Sequence, residues 1–238
     1  MRIKLKIKII ESVVFCTSIL LPFFLIGQDL PYKSALKQAH RHNLKPHKLQ
    51  HVPNSKNVIF VTWTNLRYKQ KTIMLQEHLW VVMAKEMHDL CKKLSQKQLS
   101  KNIFNALGMP MPADEKQYHF LVLKVSDIQS HIKSNLYATP GILRPCFSSY
   151  NIHTTSCSYK INPTNSNYNL WLEHLEQTVV DFPWTGLGYT FNMVTGPSKY
   201  GLSEYIITKN TKVEILATMQ AKKFCHMPAN KIIESNFY

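Results

Sequence analysis

The sequence predicts an α+β fold, with a single domain built on a mostly antiparallel sheet and about three helices. Segments rich in β-branched and aromatic residues recur between residues 58 and 218, and three amphipathic helical patterns lie among them. The chain has 238 residues, of which 45% are hydrophobic. This is enough for one sizeable core or two small ones, and it excludes large multidomain machinery.

The predicted strands are short apolar segments bounded by turn residues. They cover residues 58–64, 79–83, 118–125, 189–194, 201–208 and 212–218. The second predicted strand, at residues 79–83, runs directly into a helical pattern. The last three form a predicted meander, with turns at residues 196–197 and 209–210.

Three helices are predicted from apolar residues that recur at helical spacing. The first uses Met83, Met87, Leu90, Cys91 and Leu94; the other two cover residues 97–107 and 166–180. The second ends at Gly108, before Pro110, which is a common way for a helix to stop. Residues 134–167 are predicted to be rich in loops.

The first 27 residues have the layout of a secretory signal peptide. Four basic residues within positions 1–8 precede an apolar run over residues 12–27 that is shorter than a membrane span. We predict cleavage after Gly27, with an uncleaved N-terminal anchor as the alternative. The mature chain is expected to be secreted or periplasmic, with no transmembrane segment.

Residues 28–57 are predicted to be a basic arm or linker that precedes the domain at residues 58–238. The arm is rich in lysine and histidine, is broken by prolines and has few large apolar residues. His40 and His42 form an H-x-H pair that could capture a metal ion, but a solvated arm offers no rigid site. We therefore predict neither a metal site nor a cofactor.

The charge is strongly unbalanced, with 29 Lys+Arg against 14 Asp+Glu and a formal net charge of +15. Removal of residues 1–27 would leave about +12. This predicts an anionic partner such as lipid head groups or lipopolysaccharide. Sequence-specific nucleic-acid binding is disfavoured, because only Tyr32 offers an aromatic platform within the basic arm.

Four cysteines remain after signal cleavage, an even number that suits an oxidising compartment. Cys146 and Cys157 lie in one Pro/Ser/Thr-rich loop, so a local disulfide between them is favoured. Cys91 and Cys225 would then form a second disulfide, unless Cys91 is an ordinary buried thiol. A zinc site is disfavoured because no CxxC pair is present.

Searches for catalytic patterns leave open whether the protein is an enzyme. The segment Gly201-Leu202-Ser203 resembles a nucleophile elbow only at its start, since Tyr205 stands where a second glycine is required. The zinc-protease motif HExxH is absent, and the acidic residues are scattered. If the chain is an enzyme, Ser203, Glu204 and Tyr189 are the candidate catalytic residues.

Residues 182–191 form the segment densest in aromatic residues and glycine. Its side chains either complete the core or line a recognition groove. The candidate binding residues are Trp184, Tyr189 and Arg144.

Several motifs together resemble a family of uncharacterised secreted bacterial proteins. They are Arg144-Pro145-Cys146 with Cys157, the stretch Pro183-Trp184-Thr185-Gly186-Leu187-Gly188-Tyr189-Thr190, and Gly201-Leu202-Ser203-Glu204. The resemblance covers roughly residues 58–217. It implies export, a bacterial source and a disulfide between Cys146 and Cys157, and it provides no catalytic role to carry over to this chain.

The sequence thus favours a secreted or periplasmic, disulfide-stapled protein that binds, without catalysis, at an anionic envelope or host surface. The alternative is a secreted hydrolase with a site in residues 184–204.

Overall fold

The computed structural model describes residues 30–39, 44–52, 58–125, 141–146, 148–149, 151–158, 166–178, 181–194 and 198–233. The strands in this part of the chain are β1 (Val58–Thr64), β2 (Thr72–Met74), β3 (Leu79–Met83), β4 (His119–Val125), β5 (Ile142–Leu143), β6 (Tyr189–Phe191), β7 (Tyr200–Ile207) and β8 (Lys212–Met219). The helices are α1 (Leu30–Ala39), α2 (Ala84–Cys91), α3 (Leu99–Ala106), α4 (Ser166–Thr178), α5 (Ala221–Cys225) and α6 (Ala229–Ile233).

The strands form a single sheet in the order β2-β8-β4-β1-β3-β7-β5, with β6 paired to β7. Neighbouring strands are antiparallel throughout. This confirms the predicted α+β class with a mostly antiparallel sheet. The centre of the sheet is β1, where Val61 pairs with Val82 on one side and with Val122 on the other.

Alternation along the strands divides the buried residues between two faces of the sheet. Val61 and Trp63 of β1 belong to a core completed by α2, α3 and α5. Phe60 points to the other face, where it packs with Leu123 and Tyr205. Both faces of β1 are therefore covered, as expected for a continuous apolar segment.

Every strand predicted from the sequence is present, with ends that shift by a few residues. The three predicted helices are found as α2, α3 and α4, and β3 runs directly into α2. The strands β2 and β5 were not predicted, because three and two residues are too short to show a period. Val179 and the predicted turn at residues 196–197 lie outside the described residues.

The segment 28–57 differs from the exposed arm that the sequence predicts. Residues 30–39 form α1, which buries Tyr32, Ala35 and Ala39. Residues 44–52 run along the domain, with Leu49 and Val52 buried. These described parts pack on the domain because their few apolar side chains, though widely spaced, are buried against it. We refer to residues 44–52 as the strap.

Two disulfides are present, Cys91–Cys225 and Cys146–Cys157, with Cα–Cα distances of 5.5 and 5.8 Å. The first joins the end of α2 to α5, and the second closes a loop beside β6. Both predicted pairings are therefore confirmed.

The predicted signal peptide at residues 1–27 lies outside the described residues. Within the described part of the chain, no helix is both long enough and apolar enough to cross a bilayer.

Candidate functional site

A pocket of about 240 Å³ opens on the sheet face that also carries α2 and α3. Its floor comes from four adjacent strands, in the order β4, β1, β3 and β7. Phe120, Trp63, Trp80 and Glu204 each contribute a side chain from one of these strands. Because the strands are neighbours, side chains far apart in sequence meet in one place.

The walls of the pocket are largely aromatic. Trp80 and Trp184 meet at nearly a right angle, with ring centroids 6.2 Å apart and an interplanar angle of 80°. Trp63 and Phe120 lie 4.7 Å apart at 55°. Three of the four tryptophans in the chain therefore line this pocket.

Two segments form the rim of the pocket. One is the turn after α3, with Gly108 and Met109, and the other contains Phe182 and Pro183. Gly108 has φ +65°, and a Cβ at this position would lie 2.9 Å from the carbonyl oxygen of Phe191. A glycine is therefore required where the rim approaches β6.

Glu204 supplies the only ionisable side chain among the described residues that line the pocket. It lies on β7 opposite Val82 of β3. Its Oε2 atom is buried and has no hydrogen-bond partner among the described residues. Burial raises the pKa of Glu204 to about 8, and the neighbouring Trp184 side chain opposes this rise. At neutral pH the carboxyl is therefore mostly protonated.

Ser203 is the neighbour of Glu204 and points to the opposite face of β7, as the sequence analysis anticipates for adjacent strand residues. Its exposed fraction is 2%. The hydroxyl accepts a hydrogen bond from the Gln50 N–H at 2.8 Å and donates one to Glu86 Oε1 at 3.3 Å. Glu86 also accepts the Ser203 N–H at 2.9 Å.

Glu86 lies in α2, just beyond the end of β3, and thus accepts a hydrogen bond from a backbone N–H of β7. Burial raises its pKa to about 7, while the bonds from Ser203 and the nearby Arg144 charge oppose the rise. Neither hydrogen-bond partner of the Ser203 hydroxyl is a histidine. The Gly201-Leu202-Ser203 segment also runs inside β7, and not through a strand-to-helix turn. The segment therefore does not form a nucleophile elbow, in line with the missing second glycine at Tyr205.

Arg144 has an exposed fraction of 0%, although the sequence suggested it as a binding residue. Its guanidinium donates to the carbonyl oxygens of Gln50 and Ile152 at 2.9 and 3.0 Å, and to the Tyr205 hydroxyl at 2.9 Å. The same group lies 4.5 Å from the centre of the Tyr205 ring. Arg144 joins the strap to β7, and it is not among the residues that line the pocket.

Tyr189 is also fully buried and lies outside the pocket lining. Its hydroxyl donates to the Lys45 carbonyl oxygen at 3.1 Å. The structure therefore gives this residue a packing role between β6 and the strap. Of the candidate residues from the sequence, only Trp184 and Glu204 meet at the pocket.

The glycines of the aromatic segment are explained by close packing. Gly188 has φ +73°, and a Cβ there would lie 3.0 Å from the Cys157 sulfur and 3.1 Å from Arg144 Cγ. The turn thus brings the backbone against the Cys146–Cys157 disulfide, a position that only glycine fits without strain.

The metal candidates His40 and His42 lie outside the described residues. The described residues contain no group of three or more His, Cys, Asp or Glu side chains placed to hold a metal ion.

Three walls of the pocket, Trp63, Trp80 and Phe120, were not predicted from the sequence. Each lies on a predicted strand, and the alternation of side chains along a strand would have indicated which face of the sheet it occupies. What was lacking was the order of the strands in the sheet, which alone brings these rings together with Glu204.

No protein family, no curated protein and no solved structure that was compared with the chain matches it. The resemblance to uncharacterised secreted bacterial proteins therefore stays a prediction.

Proposed function

We propose that this chain is an exported binding protein whose aromatic pocket holds a small, mostly apolar molecule without chemical conversion. The observation that carries the proposal is the pocket itself, with three tryptophans, three phenylalanines and one carboxyl group around about 240 Å³. Ligand sites typically combine a mostly apolar lining with very few polar groups. The two disulfides support export to an oxidising compartment, either secreted or periplasmic.

The geometry gives a hydrolase less support. Ser203 lies outside the pocket, and no histidine is among the described residues that line it. Glu204 is also without a second ionisable side chain among these residues, so neither a nucleophile–base pair nor a pair of carboxyl groups is present there. Binding is therefore the function we carry forward.

Tryptophan fluorescence offers a direct test, because three of the four tryptophans line the pocket. We expect 2-phenylethanol, a small neutral aromatic probe, to cause a saturable change in emission and to bind with one-to-one stoichiometry in calorimetry. A signal that never saturates would count against a defined pocket.

Filling the pocket should abolish this binding. Met109 is half-buried at the rim, so Met109→Trp should place an indole in the pocket and weaken binding by about tenfold or more. Met111→Trp is the matched control, because Met111 is 47% exposed and lies outside the lining. Equal affinities in the two variants would contradict the proposed site.

A second activity, attachment to an anionic surface, is supported by a group of exposed lysines. They lie around the Cys91–Cys225 bridge, on α5, on α6 and just after α2, and comprise Lys92, Lys93, Lys222, Lys223 and Lys231. The Cys91–Cys225 bridge and the packing of α2 against α5 and α6 bring these three segments together. We call this group the basic patch, and clustered positive charge of this kind attracts anionic lipid head groups. We propose that the basic patch holds the protein at an anionic envelope or host surface.

Vesicle co-sedimentation tests this second proposal. The chain should bind phosphatidylglycerol vesicles but not phosphatidylcholine vesicles, and binding should weaken strongly between about 50 mM and about 500 mM salt. Changing Lys92, Lys93, Lys222 and Lys223 to Gln should reduce binding more than the same change at Lys33, Lys69, Lys116 and Lys212, which are also exposed. Equal losses in the two quadruple variants would show that net charge, and not the basic patch, is responsible.

A further inference from the structure

The chemistry of the pocket also indicates what kind of molecule it holds. In the part of the lining that the structure describes, there are six aromatic side chains, no basic side chain and a single carboxyl group. The faces of aromatic rings attract cations, and desolvation in a closed site strengthens this attraction. Trp80 and Trp184, nearly perpendicular to each other, present such surfaces beside Glu204.

A carboxyl group is a costly choice for this position. A threonine or glutamine could offer a hydrogen bond to a neutral ligand without the cost of burying an ionisable group. What only the carboxyl can add is a negative charge. The buried Oε2 atom has no hydrogen-bond partner among the described residues, and Glu204 lines the pocket, so its carboxylate can meet a ligand there.

We infer that the pocket is specific for a small organic cation, namely an amine or ammonium compound with an apolar body. This inference rests on the proposed binding function. The cationic group lies against Glu204 and the faces of the tryptophans, and the apolar body fills the space toward Phe120 and Phe182. A volume of about 240 Å³ limits the ligand to a compact molecule.

Binding of such a cation is coupled to release of a proton. The raised pKa of Glu204 is caused by burial and opposed by Trp184, with no contribution from another charged side chain. Below its pKa, the carboxyl must therefore lose its proton before it can pair with the ligand. Affinity for the cation should rise with pH until the carboxyl group is already ionised in the ligand-free protein.

Glu86 is the other titratable group to consider, since α2 packs against β7 and Glu86 has a pKa of about 7. It binds Ser203 and does not line the pocket. A substitution at Glu204 distinguishes the effects of the two carboxyl groups, because Glu86 is present in both the variant and the unmodified chain.

Three probes of equal size and different charge test the inference: 2-phenylethylamine, 2-phenylethanol and phenylacetate. Calorimetry with the full exported chain should show the amine binding at least about tenfold more tightly than the alcohol at about pH 8, with phenylacetate weakest. Affinity for the amine should rise by up to about tenfold per pH unit between about pH 6 and pH 8, with release of one proton. Affinity for the alcohol should show no such rise.

Glu204→Gln should abolish the preference for the amine and its pH dependence, so that the variant binds the amine and the alcohol with affinities within about twofold of each other. Glu173→Gln, at an exposed position on α4, is the matched control and should behave as the unmodified chain. Circular dichroism and cooperative urea unfolding should show that Glu204→Gln is folded.

Two results would overturn the inference in distinguishable ways. If the alcohol binds as tightly as the amine, or if affinity for the amine falls as pH rises, the pocket stands but its specificity for cations does not. If none of the three probes binds the unmodified chain, the proposed binding function fails and the inference fails with it.

Discussion

At the scale of single residues, the ionisation of Glu204 affects both the stability of the fold and the recognition of a ligand. Its pKa of about 8 lies well above the ordinary value of 4.5 for a glutamate. The folded chain therefore keeps a proton that the unfolded chain releases between these two pH values. The contribution of Glu204 to the free energy of unfolding is therefore expected to fall as pH rises through this range and to level off above it.

This predicts an unusual effect of Glu204→Gln on stability. Because glutamine does not titrate, the variant should be more stable than the unmodified chain at about pH 8, by on the order of 2–4 kcal/mol, and similar to it at about pH 4. Urea unfolding at the two pH values measures the difference, and Glu173→Gln serves as the control. A variant that is less stable at the higher pH would show that the carboxylate of Glu204 stabilises the fold.

At the scale of secondary-structure elements, the two disulfides constrain very different lengths of chain. Cys91–Cys225 spans 134 residues and ties α2 to α5, whereas Cys146–Cys157 spans 11 residues beside β6. The entropy that a cross-link removes from the unfolded chain grows with the length of the loop that it closes. The long-range bridge should therefore stabilise the fold more.

We expect the double substitution of Cys91 and Cys225 by alanine to lower the free energy of unfolding by about 5 kcal/mol, and that of Cys146 and Cys157 by about 3 kcal/mol. Guanidinium unfolding of the two double variants measures both values. Since both bridges are buried, each pair leaves similar space behind and acts as the control for the other. A larger loss from the short loop would contradict the entropic explanation.

At the scale of the whole molecule, the sequence predicted the interior of the sheet well. The segment Val58–Thr64 is continuous in apolar and β-branched residues, and it forms the central strand with both faces covered. Local pattern was sufficient there because strand propensity and burial favour the same structure. The cysteine pairing could also be predicted from the sequence, since four cysteines permit only three pairings.

Prediction failed where distant segments decide the local environment. The strap is polar and rich in proline, yet the Gln50 backbone binds Ser203, Tyr205 and Arg144, which lie 94 to 155 residues away in sequence. No local pattern reports such contacts. For the same reason Arg144 could be taken for a surface residue, although a charged side chain can be buried when backbone carbonyl groups receive its hydrogen bonds.

The strap has a practical consequence for anyone who produces this protein in a recombinant host. A chain that began at residue 58, where the predicted domain starts, would lose the Gln50 carbonyl group that accepts hydrogen bonds from both Arg144 and Tyr205. It would also uncover the apolar residues that Leu49 and Val52 pack against. Expression should therefore begin near residue 28, so that the strap and α1 are synthesised with the sheet that they cover.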